Sequence, residues 1–131
     1  MEELFNLGIS NNTIKNMLEL VPNIKEMSNK DIIDKINILK NINCSGYQIT
    51  NIISSNPMYL DRTNEEILKL LGKLNDLGFN TLNILFDANP YILNLEPYEI
   101  DNYIKNRLEK NETLEDIIDD MDSNPYLFNE L

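Results

Sequence analysis

Seven carboxylates crowd the last part of the sequence: Glu109, Glu112, Glu115, Asp116, Asp119, Asp120 and Asp122. Such a run can hold a cation, work as an acid–base pair, or meet a basic partner. Asp120-x-Asp122-x-Asn124 opens like a calcium-binding EF-hand loop, but Pro125 stands where that loop turns on glycine and Leu131 where it needs glutamate. No metal and no cofactor is therefore expected. Carboxylate catalysis requires two groups set apart by their environments, and 22 acidic residues spread along the chain single out no pair. What remains is a docking surface for a basic protein, including one whose nucleic-acid site the carboxylates would imitate.

The opposite chemistry sits near the N-terminus. Lys15, Lys25, Lys30, Lys35 and Lys40 offer a basic patch for a phosphate backbone. Asp31 with Lys35 and Lys30 with Asp34 also stand four apart, the spacing of ordinary helix-surface pairs. Other reaction classes lack their residues. The chain has no histidine, so Ser-His-Asp, Cys-His and HExxH arrangements are absent. Its four glycines, Gly8, Gly46, Gly72 and Gly78, build no nucleotide-binding loop. The chain is read as a non-enzyme. Cys44 stands alone, cannot form an internal disulfide, and is read as structural.

The elements that position these groups repeat. Asn56-Pro57, Asn89-Pro90 and Asn124-Pro125 recur, Val21-Pro22 is a degenerate first copy, and the prolines fall 35, 33 and 35 residues apart. That period marks a stacked helical array. Eight residues before the prolines stand Ile14, Ile49, Leu82 and Ile117; four before stand Leu18, Ile53, Phe86 and Met121. Two after are Ile24, Tyr59, Ile92 and Leu127; ten after are Ile32, Ile67 and Ile100; fourteen after are Ile36, Leu71 and Ile104. Apolar columns four apart define one face of a helix, so each repeat holds two short amphipathic helices joined at the proline.

Capping residues keep the same register. Ser10, Ser45 and Thr113 stand twelve before a proline, and Asn80 is the expected cap in the shorter third copy. Ser28 and Thr63 stand six after a proline, and Pro97 suits the first helical position in the third copy. In the last helix, Leu114, Ile117, Ile118 and Met121 make the apolar stripe opposite Glu115, Asp116, Asp119 and Asp120. Tyr59, Tyr91 and Tyr126 lie at or beside the apolar position after the proline, and packing is the reading for all three. The segment Tyr126–Leu131 is apolar where a following helix would cover it; it is expected to fold back on the stack, with self-association through this end as the other way to cover it.

Leu74-x-x-Leu77-Gly78-Phe79, followed by Leu82, Leu85 and Asn89-Pro90-Tyr91-Ile92-Leu93, resembles the repeat of the mitochondrial transcription termination factor (mTERF) family. Leu4-x-x-Leu7-Gly8-Ile9-Ser10 through Pro22 matches it again; the second copy has Ile42-Asn43 in place of leucine-glycine. The resemblance implies a curved stack of helix pairs with 3₁₀ turns near the prolines and a basic concave face for double-stranded nucleic acid. The expected fold is all-α: a single domain, 1–131, a curved solenoid with repeats at about 4–37, 38–72, 73–107 and a truncated 108–131.

Charge opposes the functional half of that implication. The net charge is −11. Residues 1–60 are close to balanced at −1, whereas 61–131 carry sixteen acids against six bases. A nucleic-acid binder presents a basic face, so a basic protein is the favoured partner and nucleic-acid binding through the five lysines is the alternative. No stretch is long and apolar enough to span a membrane, and the acidic Met1-Glu2-Glu3 start is unlike a signal or transit peptide; a cytoplasmic location is expected.

Overall fold

The computed structural model describes residues 1–131, which form helices and turns without a β-strand. The chain divides into two compact units, Met1–Asn64 and Glu65–Leu131. The first contains α1 (Glu2–Asn6), α2 (Asn11–Leu20), a 3₁₀ turn (Pro22–Glu26), α3 (Asn29–Asn41), α4 (Gly46–Ser55) and α5 (Met58–Asp61). The second is built from α6 (Asn64–Leu77), α7 (Leu82–Ala88), a 3₁₀ turn (Pro90–Asn94), α8 (Pro97–Leu108), α9 (Leu114–Ser123) and a 3₁₀ turn (Pro125–Glu130). No helix is long and apolar enough to cross a membrane.

The prolines impose one backbone solution four times. Ahead of each ring, Val21, Asn56, Asn89 and Asn124 take φ between −132° and −143° and ψ between 74° and 86°. A proline ring disfavours α geometry in the residue before it, which stops the helix there. Each of these residues still donates its N–H to the carbonyl four back, at 2.8–3.0 Å, and its own carbonyl accepts from the residue three ahead, at 3.0–3.2 Å. The chain thereby leaves one helix and enters the next turn with both backbone groups of the corner residue bonded.

The helices that precede the repeats end just as uniformly. Gly8, Asn43, Gly78 and Asn111 have positive φ, at 86°, 70°, 106° and 67°. Glycine and asparagine are the residues that enter this left-handed region most readily. In the first three copies the following residue closes a 6→1 bond: Ile9 to Leu4, Cys44 to Leu39 and Phe79 to Leu74, at 3.4, 3.1 and 3.1 Å. That is the Schellman closure, which takes an apolar residue after the left-handed one, and Ile9, Cys44 and Phe79 are all buried. Asn43 thus does the work of the missing glycine, and Cys44 has a packing role.

Most of the apolar columns form the core. Ile14, Ile49, Leu82 and Ile117 are buried, as are Ile53, Phe86 and Met121, then Ile24, Tyr59 and Ile92, then Ile32, Ile67 and Ile100, then Ile36, Leu71 and Ile104. Leu18 and Leu127 are half-buried. Ser10, Ser28 and Thr113 accept from the N–H three residues on, and Ser45 with Gln48 forms a reciprocal capping box. Pro97 does open α8, behind Glu96, which boxes with Glu99.

Three readings need correction. Asn80 is not the cap of α7: Thr81 holds that place and makes no side-chain cap bond. Leu114, at the first position of α9, is 44% exposed and lies outside the buried stripe. Packing accounts for Tyr59, which is wholly buried, but not for Tyr91 and Tyr126, which are 55% and 65% exposed. They occupy the position directly after the proline, whereas Tyr59 stands one residue later, and of these two positions the later one is the one that is buried, in Tyr59 and Ile92. At the end of the chain, Phe128 is buried with its ring 5.8 Å from that of Phe79, so the last turn does fold onto its own unit.

Candidate functional site

The acidic residues divide into two groups according to a single arginine. Arg107, in the last turn of α8, donates from Nε and Nη2 to both carboxylate oxygens of Glu112, a fork-to-fork pairing. Its Nη1 lies 2.8 Å from Asp120 Oδ2 and donates to the Tyr103 hydroxyl at 3.1 Å, with the guanidinium carbon 5.6 Å from the Tyr103 ring centre. The hydrogen bond from Arg107 holds the Glu112 carboxyl below its ordinary range, and Glu112, Tyr103 and Asp120 together push the arginine upward. Glu112 and Asp120 therefore share one cation of the chain, and the Asp120 contact ties α8 to α9.

Glu109, Glu115, Asp116, Asp119 and Asp122 are different. All five are exposed, and none pairs with a cation of the chain. α9 contains no basic residue, and Asp119 and Asp122 lie towards its C-terminus, where the helix dipole opposes them. Of the predicted set, these five remain as open negative charge.

The five lysines are also sorted. Lys30 pairs with Asp34 at 2.9 Å as the spacing predicts. Lys35 is only 4% exposed, which removes it from a surface patch. Its Nζ donates to Asn64 Oδ1 at 2.8 Å, and the Tyr59 hydroxyl donates to its backbone carbonyl at 2.6 Å. It lines a polar pocket of about 260 Å³ with Asn23, Asp31, Asp61 and Arg62. Lys15, Lys25 and Lys40 stay exposed. Lys15 and Lys25 share the edge of an apolar groove of about 520 Å³ over Phe5, Ile14 and Leu18.

Sequence periodicity did not reveal the role of the recurring asparagine. Asn89 is 1% exposed, and its Nδ2 donates at 3.0 Å to both the Pro125 carbonyl and Asn129 Oδ1, in the turn one repeat further on. Asn56 is equally buried, and no buried side-chain polar atom in the structure is without a partner. The signal was present in the asparagine that precedes Pro57, Pro90 and Pro125, a residue that can both cap and cross-link.

Helix, proline turn and helix, repeated with one backbone solution and without a catalytic constellation, define an all-α helical-repeat protein. The chain belongs to the mTERF family, whose family model matches residues 1–117. Searches of curated proteins and of solved structures found no match.

Proposed function

We propose that the chain is a non-enzymatic binding module whose second unit docks a basic protein through the outward face of α9 and the residues leading into it. The observation carrying this reading is that Glu109, Glu115, Asp116, Asp119 and Asp122 are exposed and unpaired, while Arg107 is already occupied by Glu112 and Asp120. Uncompensated charge of one sign attracts a partner of the other and speeds its encounter. An inhibitor that imitates nucleic acid towards a nucleic-acid-binding protein is one form of such a module.

Family membership favours a second reading, binding of duplex nucleic acid through the first unit. Lys15 and Lys25, which border one groove, are the side chains that support it. With Lys35 buried and Lys30 paired, few cations remain to displace counterions from phosphates.

Titration against duplex DNA and RNA over a range of salt separates the two readings. Measurable affinity that falls steeply with salt would sink the protein-only reading. The surface itself is tested by Glu115→Lys, Asp119→Lys and Asp122→Lys together, in capture of partners from the source cell. Loss of the captured proteins is expected, and an unchanged set rejects this face.

A further inference from the structure

Two of the three prolines of the second unit, Pro90 and Pro125, share a five-residue setting, Asp87-Ala88-Asn89-Pro90-Tyr91 and Asp122-Ser123-Asn124-Pro125-Tyr126. Both prolines open a 3₁₀ turn, the two turns pack together, and Asn89 clamps them through its bonds to Pro125 and Asn129. Tyr91 and Tyr126 are thus equivalent positions on turns that pack against each other. Both rings face solvent, and neither hydroxyl bonds another residue. The core is served by the next residue in the third copy, Ile92, so the rings are not needed for packing.

An exposed aromatic pair is a recognition feature, since tyrosine offers a large rigid face at small entropic cost. Its surroundings select the occupant. Each ring follows by four residues a carboxylate on the helix leading into the turn, Asp87 on α7 and Asp122 on α9. The negative surroundings repel phosphates and attract cations, and the ring face attracts a cation as well. Arginine satisfies both, because its planar guanidinium stacks on a ring while keeping its donors for carboxylates.

We propose that Tyr91 and Tyr126 form a two-ring platform for an arginine-bearing segment of the basic partner, with the exposed Asp122 as its acidic flank. This deepens the reading of the second unit as a basic-protein module and rests on it.

The test uses the full chain with fluorescently labelled nona-arginine, nona-lysine and a single-stranded oligonucleotide as probes. The parent is expected to bind nona-arginine more tightly than nona-lysine. Tyr91→Ala and Tyr126→Ala each weaken nona-arginine about threefold, the double variant removes the preference, and Tyr91→Phe with Tyr126→Phe preserves it. Circular dichroism checks that the variants stay folded. A folded double-alanine variant with parental affinity for nona-arginine overturns the platform and leaves the electrostatic reading standing. A parent that binds neither peptide overturns the basic-partner reading itself. Tyrosine-dependent binding of the oligonucleotide overturns the proposed occupant.

Discussion

Asn89 reaches one full repeat forward to hold Pro125: its Nδ2 donates at 3.0 Å to the Pro125 carbonyl, from a side chain that is 1% exposed. The residue that breaks one helix also fastens the next turn. Asn89→Ala would leave the Pro125 carbonyl and Asn129 Oδ1 without this donor, at a cost of about 1–3 kcal/mol. Asn124→Ala, at the exposed equivalent position, should stay within about 0.5 kcal/mol of the parent. Urea unfolding midpoints compare the two, and equal losses would show that the clamp does not stabilise the unit.

The left-handed corner makes a conformational prediction rather than a steric one. A Cβ added at Gly78 meets no atom within 4 Å, yet the residue sits at φ +106°. Gly78→Ala should therefore cost about 1–2 kcal/mol through backbone strain alone. Asn43→Gly should change stability by no more than about 0.5 kcal/mol, whereas Asn43→Val should lower it clearly. Thermal unfolding of the three variants measures this, and a neutral Asn43→Val would refute the role assigned to asparagine.

Arg107 makes stability depend on acid pH. Its hydrogen bonds depress the Glu112 carboxyl below the ordinary 4.5, so the folded state holds that proton less tightly than the unfolded chain. The contribution is complete above about pH 4.5 and is lost as pH falls through the depressed value. Urea midpoints of the parent and Arg107→Ala should differ at pH 7 and converge as pH falls through the depressed Glu112 value. A constant gap would place the arginine's effect in packing rather than charge.

The same network predicts that neighbouring carboxylates on α9 respond differently to reversal. Asp120→Lys places a like charge beside Arg107 and should destabilise the chain. Asp119→Lys, on an exposed residue without a partner, should leave the unfolding midpoint unchanged or raise it by easing repulsion within a unit of net charge −10. Equal effects of the two reversals would contradict the division made by Arg107.

Tyr59 predicts behaviour at the alkaline end. Burial pushes its phenol well above the ordinary 10.0, with the nearby Cys44 adding to the shift. The folded state keeps this proton longer than the unfolded chain, so the contribution is complete below pH 10 and lost as pH rises beyond it. Tyr59→Phe removes that alkaline dependence. It also leaves the Lys35 carbonyl without its 2.6 Å donor, at a cost of about 1–3 kcal/mol at neutral pH. Ultraviolet titration of the phenols against circular dichroism should show Tyr59 ionising only as the helices melt.

Much of this fold was legible because its determinants are local and periodic. Helix faces, proline stops and the serine and threonine caps depend on residues within a few positions of one another, so Ile32, Ile67 and Ile100 could be placed in one buried column from spacing alone. Asn80 was misplaced by one residue because neither it nor Thr81 forms a side-chain cap, which leaves the local rule without a signal. Tyr91 and Tyr126 were misread because a 3₁₀ turn rotates consecutive side chains by about a third of a circle, and composition cannot say which of two adjacent apolar residues faces inward.

The candidate site depended on partners brought from elsewhere. Sequence by itself determined that the second half is acidic, that the chain repeats, and that it carries no catalytic constellation. Only the tertiary structure decided that Arg107 pairs with Glu112 and Asp120 while Asp119 and Asp122 stay open, that Lys35 is buried, and that Asn89 spans a repeat. The physical reason is that a residue's charge and helix register follow from the chain's order, whereas whether a charge is free depends on which neighbour the packing sets against it.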